Sequence, residues 1–282
     1  MKRLFLSLAA AGLGLCAHLT PALADEAPAS ASSWARPMDV SLDGHRSDWL
    51  FYVTTVSITV LFIIMVGLLL WTSLMHKDKA GRTAHYEHGT GRSSLILTGV
   101  ISSIIFFGVD GTLLYNSFKD LSQAFYKYPT KAEAPVTIEV FAQQWSWNFR
   151  YPGADGVFNT PDDILSFNDM YIPENTPVFI KLKSKDVIHS FYLPNFRTKQ
   201  DAFPGAVTQL WFQGTRTGDF EIGCAQHCGV SHYKMRGFLH IRSKAEFEAW
   251  LKSEETAAKL RYDEKDEDAH WGWDFWSAES KS

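Results

Sequence analysis

The sequence predicts a hairpin of two membrane-crossing α-helices followed by an all-β domain, a sandwich or barrel. Three observations carry this. An uncharged run fills 49–75, a second apolar run broken only by Asp110 fills 93–118, and short alternating segments punctuated by Gly and Pro begin at Pro135. Whole-chain averages hide the pattern: 282 residues, 46% hydrophobic and 21% charged would suit an ordinary soluble protein. Ten Trp and twenty Phe exclude a disordered chain. A net charge of −4 leaves no basic footprint, so nucleic acid is not an expected partner.

The amino terminus comes first. Lys2 and Arg3 precede an apolar run from Leu4 to Leu15, and Ala22-Leu23-Ala24 stands before Asp25. A basic start, a short apolar core and an Ala-x-Ala site make residues 1–24 a secretory signal peptide. Lipid attachment at Cys16 is the alternative, but Leu15 is bulkier than the small residue such a site prefers. Loss of 1–24 removes Lys2 and Arg3 and takes the charge from −4 to −6. The mature chain is therefore acidic and extracytoplasmic.

Residues 25–48 form an external segment carrying Asp39, Asp43 and Asp48. Trp49 to Met75 is 27 residues without a charge, about 40 Å as helix and enough to cross a bilayer. Runs of that length seldom serve as buried core helices. The loop 76–92 carries Lys77, Lys79, Arg82 and Arg92, which keeps it cytoplasmic under the positive-inside rule. A second span at 93–118 returns the chain, so both termini and the domain at 132–251 are external. His45, His76, His85 and His88 read as surface or interface residues.

Within 132–251 the sequence places strands at Val136–Val140, Thr176–Leu182, Thr208–Phe212, Asp219–Ile222 and Gly237–Ile241. Ser243 and Glu246 set up a capping box for a short helix through Leu251. The tail 252–282 is acidic to Asp268, then aromatic through His270-Trp271-Gly272-Trp273-Asp274-Phe275-Trp276, a composition suited to docking on a partner or a membrane face. Asp155, Asp162 and Asp163 surround one turn. They suggest a Ca²⁺ site or a plain acidic turn, and the spacing does not match a twelve-residue calcium loop.

The informative stretch is Cys224-Ala225-Gln226-His227-Cys228-Gly229-Val230-Ser231-His232-Tyr233-Lys234-Met235. Two thiols, an imidazole and a thioether in one loop between strands form a soft donor set that selects copper. A mononuclear blue-copper site needs two His, one Cys and a Met. The second Cys is extra, and two thiolates can bridge two copper ions. A further imidazole from an adjacent strand completes the set, and Asp186-Val187-Ile188-His189-Ser190 supplies His189. A Cys224–Cys228 disulfide is the bland alternative, but it leaves His232 and Met235 unexplained. A thioredoxin-like copper chaperone needs a helix after the cysteines, where this chain has Gly229 and a strand.

With Gln144-Trp145-Ser146-Trp147 and Lys199-Gln200-Asp201-Ala202-Phe203-Pro204-Gly205 added, the chain resembles subunit II of haem–copper cytochrome c oxidases. The resemblance covers nearly the whole mature chain. It implies a cupredoxin domain with a binuclear CuA centre held by His189, Cys224, Cys228, His232 and Met235, plus the backbone carbonyl of Gln226. It implies that Trp145 receives electrons from cytochrome c, that subunit I and other oxidase subunits are partners, and that the site is the bacterial inner membrane with the domain outside. Oxygen would be reduced in subunit I, with no catalytic residue in this chain. Quinol oxidases lack the cysteines.

Three features depart from the family. Glu is usual at Gln226, and its carboxylate also reaches Mg²⁺, so that Mg²⁺ contribution is in question. The usual Glu-x-x-Trp-Thr entry to the second helix is absent, leaving Glu87 and Asp110 as candidates for a proton-uptake carboxylate. No Cys-x-x-Cys-His occurs, so no fused cytochrome c is expected. The copper subunit of a nitric oxide reductase is an alternative within the same chemistry, and a membrane-tethered copper carrier or chaperone is one from another class.

Overall fold

The computed structural model describes residues 36–261, except 82, 84, 85, 87, 131, 132 and 134, and the side chains only as far as 258. The signal segment with Cys16, the residues Arg82, His85 and Glu87, the domain start at 132 and the tail beyond 261 lie outside the described residues. The described residues divide into a helical unit, Arg46–Gln123, and a β unit formed by residues 36–45 and 124–261.

The helical unit holds α1, Gly44–Met75, and α2, Arg92–Phe125, both long and apolar enough to cross a membrane. Their apolar side chains face outward all round, as in a helix surrounded by lipid. Polar groups are satisfied within the helix. The hydroxyls of Thr54, Thr55 and Thr59 donate to the carbonyls of Leu50, Phe51 and Thr55 one turn back. Both helices exceed the apolar runs, since α1 begins at Gly44 and α2 continues past Phe118 through Lys119 and Asp120. Charged residues end a hydrocarbon-compatible run without ending a helix. Arg46 pairs with Asp120 at 3.0 Å, tying the start of α1 to the end of α2. Asp110 closes a π-helical segment, Ile104–Asp110, and is exposed.

The β unit is a sandwich of two five-stranded sheets. The strands are β1 Val136–Gln143, β2 Ser146–Tyr151, β3 Ile164–Phe167, β4 Asp169–Pro173, β5 Pro177–Ser184, β6 His189–Leu193, β7 Thr198–Ala202, β8 Thr208–Gln213, β9 Gly218–Cys224 and β10 Arg236–Arg242. One sheet runs β3-β2-β1-β5-β8 and the other β4-β10-β9-β6-β7. Alternation builds the core. Ile138, Val140 and Ala142 of β1 and Val178, Ile180 and Leu182 of β5 face Ile172, Ile222, Leu239 and Ile241 of the other sheet, with Trp147, Phe149 and Phe191 between. Most strands in excess of the five expected ones are short, and β2 carries Trp147, Phe149, Arg150 and Tyr151 buried on both faces, so it shows no alternation.

Two expectations need correction. The helix capped by Ser243 and Glu246 (hydroxyl to carboxylate 2.6 Å) is α3, Lys244–Arg261, and runs ten residues beyond Leu251. Glu254 to Lys259 contain no Gly or Pro and propagate helix readily, so their acidity does not make them coil. The external segment 25–48 is also not separate from the domain. Val40 is buried in the core, its N–H donates to the Asn195 carbonyl at 3.1 Å and its carbonyl accepts from Thr215 N–H at 2.8 Å. The Leu42 N–H donates to the Gln213 carbonyl at 3.0 Å. A domain bounded at 132–251 omits this strap.

Candidate metal centre

Strand pairing builds the site. β6 and β9 run antiparallel with Phe191 opposite Cys224, and the Ala225 N–H donates to the Ser190 carbonyl at 3.0 Å. This sets His189, the first residue of β6, beside Cys224, the last of β9. The loop then closes on itself through His232 N–H to the Gly229 carbonyl and Met235 N–H to the His232 carbonyl, each 3.1 Å. That turn carries Met235 back into the core, where it is buried with Cys228 and His189.

The side chains converge. The two sulfurs of Cys224 and Cys228 are 3.8 Å apart, and both thiols are free. A disulfide needs about 2.05 Å, so the pair is not bonded. His189 Nδ1 lies 3.1 Å from the Met235 sulfur. The Cys228 sulfur lies 3.5 Å from His232 Nδ1 and 3.7 Å from the Met235 sulfur. Cys224 donates to the Gln226 carbonyl at 3.2 Å while the Gln226 side chain faces solvent. The donor atoms of His189, Cys224 and Cys228 all lie within 4.8 Å of one another. Thiolate–metal bonds of about 2.3 Å let both sulfurs touch one ion. Soft sulfur and imidazole donors packed this closely fit copper.

Electrostatics divides the two thiols. Burial raises Cys224, but hydrogen bonds with His189 and the neighbouring backbone outweigh it and bring its pKa below that of a free thiol. Burial and the adjacent Cys224 sulfur push Cys228 up. Without metal, one sulfur of the pair thus gives up its proton well before the other. Asp186 orients the buried imidazole: His189 Nε2 donates to its Oδ1 at 2.8 Å, leaving Nδ1 directed at the sulfurs. A carboxylate behind a ligating His is the usual device for fixing ring orientation. Trp147 and Phe191 wall the inner side, with the Trp147 ring 6.2 Å from that of His189.

Trp145 is half-buried, while Trp147 is fully buried. Strict period-two alternation would place both on one face. Gln144 and Trp145 instead form the turn between β1 and β2, closed by the Gln143–Ser146 pair, so alternation does not extend through them. The indole packs against Gly229, where an added Cβ would fall 3.1 Å from Trp145 Cζ2 and 2.9 Å from Gln144 Nε2. Gly229 also has φ of +127°, a conformation that strains any other residue.

The acidic turn behaves differently. Asp163 turns inward, accepts from Asn159 N–H at 2.8 Å and lies 3.7 Å from Arg150 Nε. Asp155 accepts from Val157 N–H at 2.8 Å, and Asp162 accepts from the Thr160 hydroxyl at 2.8 Å. The three carboxylates close the loop. Among the described residues the one cluster of three His, Cys or carboxylate donors is at His189, Cys224 and Cys228.

Sequence reasoning missed Asp186, Gln144 and Gly229 as parts of the site. Asp186 stands three residues before His189 in Asp186-Val187-Ile188-His189-Ser190, which is the available signal. The Gln144 contacts span 42 and 84 positions and leave no local trace.

The fold and site define a β-sandwich protein with two helices long and apolar enough to cross a membrane and a sulfur-rich cluster able to hold a metal ion. Residues 163–241 match the family model for the periplasmic domain of cytochrome c oxidase subunit II. The alternative cytochrome c oxidase subunit 2 of Bradyrhizobium diazoefficiens is 35% identical over 157 residues, which is 48% of this chain and 57% of that protein. The probable cytochrome c oxidase subunit 2 of Rickettsia bellii is 30% identical over 225 residues, 75% of this chain and 78% of that protein. The crystal structure of the periplasmic domain of subunit II of cytochrome oxidase of Bradyrhizobium japonicum is 27% identical, covering 43% of this chain and 94% of that one, with a TM-score of 0.39. The chain belongs to the cytochrome c oxidase subunit II family. Two membrane-length helices and a match to a periplasmic domain fit a membrane protein with a periplasmic domain.

Proposed function

We propose that this chain is the electron-entry subunit of a proton-pumping terminal oxidase in a bacterial inner membrane. Cytochrome c docks on the external domain, and the electrons pass on to haem in subunit I, where O₂ becomes water. The observation that carries the reading is the convergence of two free thiols with His189, His232, Met235 and the Gln226 carbonyl. A copper pair bound by these residues supplies one-electron redox chemistry. Cys224 and Cys228 provide the two sulfurs, His189 and His232 the imidazoles, and Met235 a weak thioether donor from the buried side. Asp186 holds His189 in place, and Trp147 with Phe191 keeps water from the inner face. Family membership supports the assignment to an oxidase.

Trp145 is the proposed point of entry because its indole is half-buried and touches Gly229, the residue after Cys228. The strap supports the topology. Residues before α1 and after α2 belong to one folded unit, so they share a side of the membrane, and two crossings between them satisfy this. The basic loop between the helices then faces the cytoplasm.

The test is copper analysis with EPR on the purified full chain. The expected result is two copper ions per chain, with one unpaired electron shared between two nuclei in the oxidised form. A single copper per chain, or the four-line pattern of a localised electron, overturns the reading.

A further inference from the structure

One residue of the β1–β2 turn holds both halves of the site. The Gln144 backbone N–H donates to Asp186 Oδ2 at 2.7 Å, and the other oxygen of that carboxylate accepts from His189. The Gln144 side-chain amide donates to the Cys228 carbonyl at 2.7 Å. Gly229 follows, and its missing side chain leaves room for the amide and the Trp145 indole together. The turn is therefore fastened on one side to the strand bearing His189 and on the other to the loop bearing the cysteines. Trp145 has no such fastening of its own. Its indole nitrogen is buried and makes no hydrogen bond among the described residues. Whatever holds the ring against the cysteine loop must act through packing and through its neighbour.

We propose that Gln144 is a positioning residue for electron entry: its side-chain amide clamps the Trp145 turn onto the Cys228–Gly229 peptide and so sets the contact between indole and metal loop. This inference rests on the reading of the cysteine loop as a copper site and of Trp145 as its point of entry. Gln144 touches none of the proposed donor atoms. Its amide meets a carbonyl that the proposed ligand set does not use, and its loss leaves every donor side chain in place. The backbone bond to Asp186 does not depend on the side chain, proline apart, so the side chain can be tested apart from the orientation of His189. Gly229 is the complement, since a methyl group there presses on both clamped surfaces at once, 2.9 Å from the donating Gln144 Nε2 and 3.1 Å from Trp145 Cζ2.

The experiment compares wild type, Gln144→Met and Gly229→Ala in the assembled oxidase and in the metal-free full chain. Gln144→Met keeps the length and removes the donor. Copper content and EPR spectrum stay at wild-type values, and the half-saturating concentration of cytochrome c is unchanged. The maximal rate of copper reduction falls by at least about fivefold, equivalent to roughly 1 kcal/mol in barrier. Amide hydrogen exchange, read by mass spectrometry without metal, rises at 144–147 and at 228–231 together. Gly229→Ala reproduces the rate loss. Wild-type rates with unchanged exchange in Gln144→Met overturn the proposal, and so does loss of copper from that variant, which makes Gln144 a support of the ligand set instead. Failure of the wild type to bind copper removes the underlying reading, while the exchange measurement still decides whether the clamp exists.

Discussion

Two loops of the β unit are rich in groups that bind metal ions, and they use them in opposite ways. In the loop 224–235 the donors come from different parts of the chain. His189 arrives on a neighbouring strand, and the backbone satisfies itself through Gly229, Ser231 and His232. The side chains are thereby left facing one another. In the turn 155–163 the carboxylates are the loop's own closing bonds to Asn159, Val157 and Thr160. The difference shows that donor density is a poor guide to a metal site. What matters is whether the backbone closes the loop without help from the donors.

Removing Cys228 tests the first half most severely. Cys228→Ser replaces a soft donor by a hard one and leaves one sulfur where the site uses two. Copper should fall from two ions to one or none per chain, with the shared-electron EPR signal abolished. Retention of two ions in that variant would show that the thiol pair is not the frame of the site.

The acidic turn should answer to pH and not to metal. Burial raises the pKa of Asp163 from 3.8 to about 6, against the pull of the Asn159 N–H and the Arg150 guanidinium. The folded state therefore binds this proton more tightly than the unfolded one. The resulting stability is complete below pH 3.8 and is lost as pH rises through about 6, a swing of about 3 kcal/mol. Unfolding midpoints of wild type and Asp163→Asn, measured between pH 4 and 7, should diverge as pH rises, the variant losing less. Millimolar Ca²⁺ should leave both midpoints unmoved, because a ligand stabilises only what it binds. A calcium-dependent rise in the wild-type midpoint would restore the cage that the hydrogen bonds argue against.

The smallest effect is expected at Gln226. Its side chain is exposed and its carbonyl accepts from Cys224, so Gln226→Glu should leave the copper spectrum almost unchanged. A strong spectral shift would mean that the side chain, not the peptide, reaches the metal.

Legibility in the sequence followed the range of the interactions. Long apolar runs, the second interrupted only by Asp110, announced α1 and α2 because a membrane crossing demands them residue by residue. β1, β5, β8, β9 and β10 were readable from alternation and punctuation. β2 was not, because Trp147 and Phe149 face the core while Arg150 is buried on the opposite side beside Glu139 and Asp163. The metal loop was readable because four of its donors lie within twelve residues. His189 needed the idea of a neighbouring strand, and the β6–β9 pairing supplies it. Asp186 to Gln144 and Val40 to Thr215 lay beyond reach, since no local pattern encodes a contact across 42 or 175 positions.

The strap at Val40 also sets a timetable. Its partner Thr215 is 175 positions later in the chain. At roughly 5–20 residues per second, synthesis alone separates the two by about 10–35 s. Throughout that interval the β unit has no complete core, because one of its buried side chains waits for a neighbour still unmade. Closing a loop of that length costs little more entropy than closing one half as long, so the delay is kinetic rather than energetic. The amino-terminal segment is thus the oldest part of the β unit and among the last to find its place, and any fragment beginning after α2 is born with that place empty.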